Sequence, residues 1–198
     1  MRSLRRAVLT VPPGTAPEVH IASGNCTVAE ETLVLPPGTV LIGSGLTQGA
    51  SSPTAPLQIV GGTVRFENLS GLGLVATGGS LEIDGCVFQQ PLIARDTKLD
   101  IRRSLFAWEG AYIQAWYGDP SAASNPFRME DCTSSGDLWL TCDGVQCGPV
   151  TIERSAFVYI RIGGRFDAVN GARMLLKVRD APSALDIPRY GDVRLIGN

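Results

Sequence analysis

The sequence of 198 residues predicts an all-β, single-domain fold, a coil of short parallel strands. Three observations carry that prediction. A short alternating segment recurs along the chain. A one-residue phase slip recurs inside it. The stretches between copies are rich in Gly, Ser and Pro and show no apolar period of 3.6, so helices are not needed.

Five strong copies occur in order along the chain. Val64-Arg65-Phe66, Leu81-Glu82-Ile83, Leu99-Asp100-Ile101, Phe127-Arg128-Met129 and Val150-Thr151-Ile152 each run apolar, polar, apolar. The second apolar positions, Phe66, Ile83, Ile101, Met129 and Ile152, lie 17, 18, 28 and 23 residues apart, and a weaker copy comes after them at Asp192-Val193-Arg194-Leu195. Alternation of this kind marks a half-buried strand, because successive side chains point to opposite faces. In the last strong copy Val150 and Ile152 point in while Thr151 and Glu153 point out. The phase then slips across Glu153-Arg154, so that Ser155 and Phe157 point in again. A slip of one residue between two short strands is a corner.

A strand, a corner and a second strand, repeated about every 20 residues, describe a coil whose like positions stack. Phe88, Phe106 and Phe157 should form an internal aromatic column, interrupted near Ser134. Cys86, Ser104, Cys132 and Ser155 should form a second column at the corner. A doubly wound α/β fold would need crossover helices. A β-sandwich is the competing reading, since it too uses short, evenly spaced strands. The recurrence of the same corner favours the solenoid.

The copies ending Cys86-Val87-Phe88, Ser104-Leu105-Phe106 and Ser155-Ala156-Phe157 resemble rungs of the right-handed parallel β-helix proteins. These form the pectate-lyase-like superfamily, which includes phage tailspikes. Leu33-Val34-Leu35-Pro36-Pro37-Gly38-Thr39-Val40-Leu41-Ile42-Gly43-Ser44-Gly45 is similar to the first rungs of that group. The resemblance implies a right-handed β-helix of roughly six to eight rungs. Residues 1–32 would form an N-terminal cap and 33–160 the regular rungs, with one long aromatic excursion over 107–126. Residues 161–198 would form irregular C-terminal rungs. Pectin-degrading lyases of the group use calcium-binding acids with a basic residue, and its polygalacturonases carry paired Asp motifs and a Gly-His-Gly. This sequence has no Gly-His-Gly and no dense Asp cluster, so the resemblance implies a fold and no activity.

Composition narrows the function classes. With 44% hydrophobic and 18% charged residues, the chain is too apolar to be disordered. A net charge of −2 offers no long-range attraction for nucleic acid or acidic membrane. No stretch approaches a membrane span. After the basic start Met1 to Arg6, the apolar run is only Ala7-Val8-Leu9, too short for a signal peptide. Synthesis in the cytoplasm is expected, with action as part of a virion or extracellular assembly. Five cysteines argue against a fully paired disulfide scaffold. Cys132, Cys142 and Cys147 lack the close pair that zinc sites use, so they read as buried thiols, with a Cys142–Cys147 disulfide as the alternative. No metal site and no cofactor are expected.

Nucleophilic catalysis needs an activating base, and the sole histidine, His20, sits on a strand before the repeats. Gly43-Ser44-Gly45 lacks the succeeding Lys-Ser/Thr and helix of a phosphate loop. The segment between Phe106 and Phe127 is more informative. It carries Trp108, Tyr112, Trp116 and Tyr117, two of the three Trp and two of the four Tyr. Flat rings beside polar groups suit a sugar face or a protein interface, or else fold back over the coil. Acid–base cleavage of a glycan needs two carboxylates about 5–10 Å apart. Glu109, Asp119, Asp137 and Asp143 are the candidates, and outward rows such as Glu82, Asp100, Arg128 and Thr151 read as solvated surface.

The expected function is a non-catalytic structural or adhesive module of the kind found at virion surfaces and tails. A polysaccharide-cleaving enzyme and a glycan-binding module are the alternatives. Open coil ends point to self-association or to other virion and surface proteins as partners, with polysaccharide as a further one.

Overall fold

The computed structural model describes residues 15–21, 34–35, 37–43, 57–107, 110–118, 127–142, 150–155, 159–164, 173–174, 176–179, 184–186 and 192–193. Among them there is no helix. The chain is a parallel β-solenoid, the fold class the repeats predict.

Each turn lays one strand in each of two sheets. The first sheet stacks β1 (Glu18–Ile21), β3 (Val40–Gly43), β5 (Thr63–Glu67), β7 (Ser80–Asp84), β9 (Lys98–Arg102), β12 (Phe127–Glu130), β15 (Val150–Glu153) and β18 (Leu176–Arg179). The second stacks β2 (Val34–Leu35), β4 (Leu57–Val60), β6 (Ser70–Thr77), β8 (Val87–Arg95), β11 (Ile113–Tyr117), β14 (Asp137–Cys142), β16 (Tyr159–Gly164) and β19 (Ala184–Asp186). Two short strands just past the corner, β10 (Leu105–Phe106) and β13 (Thr133–Ser134), continue the start of β8 into later turns. Neighbours pair in parallel, as a coil that always turns the same way requires. The expected weak final copy contributes β20 (Asp192–Val193), which pairs with β17 (Arg173–Met174).

Alternation within strands builds the core. In β5, β7, β9 and β12 the inward residues are Val64 and Phe66, Leu81 and Ile83, Leu99 and Ile101, Phe127 and Met129, all buried. The register stacks Phe66 on Ile83, Ile83 on Ile101 and Ile101 on Met129. Across the coil the second sheet supplies the columns Leu57, Leu74, Leu92, Ile113, Leu138 and Ile59, Ala76, Ala94, Ala115, Leu140. No single turn could bury such a face, so each is stable only against its neighbours.

The phase slip has a backbone cause. Asn68, Gly85, Arg103, Asp131 and Arg154 come directly after β5, β7, β9, β12 and β15, and all take positive φ, between 46° and 63°. One left-handed residue turns the chain through the corner and reverses the facing of the residues beyond it. The amides of the first four corner residues donate to the next turn: Asn68 to the Asp84 carbonyl, Gly85 to Arg102, Arg103 to Glu130 and Asp131 to Glu153. Just inside the corner lies the expected column of Cys86, Ser104, Cys132 and Ser155, all buried. Each serine hydroxyl accepts from the cysteine amide one turn earlier: Cys86 N to Ser104 Oγ and Cys132 N to Ser155 Oγ, both 3.1 Å. The aromatic column is present as Phe88 on Phe106, with centroids 4.5 Å apart and planes 11° from parallel. Ser134 comes after Phe106 in register and interrupts it, and Phe157 lies outside the described residues.

The expected excursion over 107–126 is corrected in its middle. Residues 113–117 form the regular strand β11, paired with β8 on one side and β14 on the other. Its inward residues, Ile113, Ala115 and Tyr117, fill a rung of the coil. An alanine and a tyrosine disguised the alternation, because neither is read at once as an inward apolar position.

Candidate binding face

The two sheets present different outer faces. On the first, rows run Arg65, Glu82, Asp100, Arg128 and Glu67, Asp84, Arg102, Glu130. Within a strand, Arg65 pairs with Glu67, Arg102 grips Asp100 at 2.9 and 2.7 Å, and Arg128 meets Glu130 at 2.8 Å. Between turns, Arg103 Nε donates to Asp84 at 2.8 Å, and Arg154 holds Asp131 at 2.6 and 2.9 Å while also reaching Glu130. The Arg102 guanidinium keeps the Asp100 carboxyl below its ordinary range, and Arg154 does the same for Glu130 and Asp131. These acids are held ionised. A catalytic acid needs the opposite shift.

Over β4 to β14 the second sheet's outer rows carry fewer charges, chiefly Arg95 and Asp137. The middle row runs Gln58, Val75, Ile93, Gln114 and Trp139, and the register continues it with Arg161 of β16 and Asp186 of β19. The row beside it is Val60, Thr77, Arg95, Trp116 and Thr141, with Val60 59% exposed. Tyr112 stacks on Trp139 with centroids 5.6 Å apart and planes 23° from parallel. Trp139 Nε1 donates to Asp137 Oδ2 at 3.2 Å. An aromatic platform with a carboxylate at its edge thus stands on two adjacent rungs.

Of the residues singled out from sequence, Tyr112 and Trp116 lie partly exposed on or beside this face, and Asp137 is half-buried next to Trp139. Tyr117, expected with them, is corrected. It turns into the coil and is 6% exposed, and its hydroxyl has no hydrogen-bond partner among the described residues. Trp108, Glu109, Asp119 and Asp143 lie outside the described residues. Trp139 was missed by sequence reasoning. Its signal was available in Asp137-Leu138-Trp139-Leu140, where two inward leucines force the tryptophan outward.

Cys86 and Cys132 are free and buried, and burial pushes their thiols up to about 12 and about 11. Among the described residues no three His, Cys, Asp or Glu are placed to hold a metal ion. His20 is exposed on β1, with Nε2 2.6 Å from Glu18 Oε1. Among the described residues no helix is long and apolar enough to cross a membrane.

Fold and faces together define the class, a parallel β-solenoid with one charge-laced face and one aromatic face. Comparison with protein-family models, with curated proteins and with solved structures finds no match.

Proposed function

We propose that the chain is a non-catalytic structural or adhesive β-helix module, of the virion surface or tail type, that works through the outer face of its second sheet. The contrast between the two outer faces carries this reading. On the first, arginines pair with most of the outward acids and leave a solvated surface. On the second, aliphatic and aromatic side chains stand outward with few charges, as residues at interfaces do. The inside of the coil is filled by stacked side chains, which suits a scaffold.

A glycan-binding role at the same face is the second reading, and the Tyr112–Trp139 platform beside Asp137 favours it. Cleavage would need Asp137 to work with a second carboxylate such as Glu109, Asp119 or Asp143. The deciding experiment incubates the full chain with a panel of bacterial surface polysaccharides. Mass by light scattering and release of new reducing ends are tracked in the same samples. Self-assembly or binding without new ends is expected. Release of ends that is lost in Asp137→Asn would replace the structural reading with an enzymatic one.

A further inference from the structure

We draw no further inference here: the strongest candidate, the outer face of the second sheet where β8, β11 and β14 set Tyr112, Trp116 and Trp139 side by side, carries none because nothing in the structure shows what covers it.

Discussion

The amide of Cys86 donates to the hydroxyl of Ser104, 18 residues later in the chain and one turn along the coil, at 3.1 Å. Ser104 Oγ in turn donates to the Arg102 carbonyl at 2.7 Å. The hydroxyl thereby satisfies a buried amide that the bend of the corner removes from the regular ladder. Ser104→Ala leaves that amide without its acceptor and should cost about 1–3 kcal/mol in denaturant unfolding. A loss below about 0.5 kcal/mol would show that the corner column is not held by this bond.

Phe106 is fully buried and stacks on Phe88. Phe106→Ala opens a cavity between stacked rungs that cannot collapse without breaking their register. The expected cost is about 3–5 kcal/mol by urea titration. A change within experimental error would contradict the aromatic column.

Gly79 has φ of +71°, and a Cβ placed there would lie 2.1 Å from the Gly62 carbonyl oxygen one turn before. Both the conformation and the space exclude a side chain, and the obstacle is backbone rather than a mobile side-chain tip. Gly79→Ala should destabilise the coil by about 2 kcal/mol or more, while Gly61→Ala, with nothing within 4 Å of its Cβ, should cost less. Equal melting temperatures for the two variants would show that the turns do not approach one another at this corner.

Acid should loosen the first sheet's outer face. Asp100, Glu130 and Asp131 have carboxyl pKa values lowered in the folded state by Arg102 and Arg154. A lowered folded value means the contribution is complete above the unfolded value, about 4, and is lost as pH falls through the folded one. Thermal melting should therefore vary little on this account between pH 7 and pH 5, then fall below about pH 4. Arg154→Met should make that fall shallower, since the two acids it holds then titrate closer to their ordinary range. An unchanged acid limb in the variant would show that the clamp adds nothing.

Burial pushes the thiols of Cys86 and Cys132 up to about 12 and about 11. At pH 8 neither supplies much thiolate, and neither is open to a reagent. Mass-spectrometric mapping after brief alkylation of the native protein should leave both unmodified, with modification appearing on unfolding. Rapid native labelling of Cys132 would place it at the surface rather than in the corner column.

Period and phase were legible in the order of residues alone. Val150-Thr151-Ile152-Glu153 and its earlier copies alternate because a half-buried strand must, and the slip after each copy encodes the corner. From these alone come the stacked rungs, the Phe88–Phe106 stack and the cysteine–serine column. Those features repeat at fixed offsets, so a local pattern specifies a long-range contact. The tertiary structure decided what the pattern could not carry. Residues 113–117 became a rung because their register with β8 and β14 turns Ala115 and Tyr117 inward. Trp139 came to stack on Tyr112, 27 residues away, because two rungs brought adjacent strands together. The division into a charge-laced face and an aromatic one was likewise decided there. Outward residues obey no period, and only pairing between turns settles which of them are neighbours.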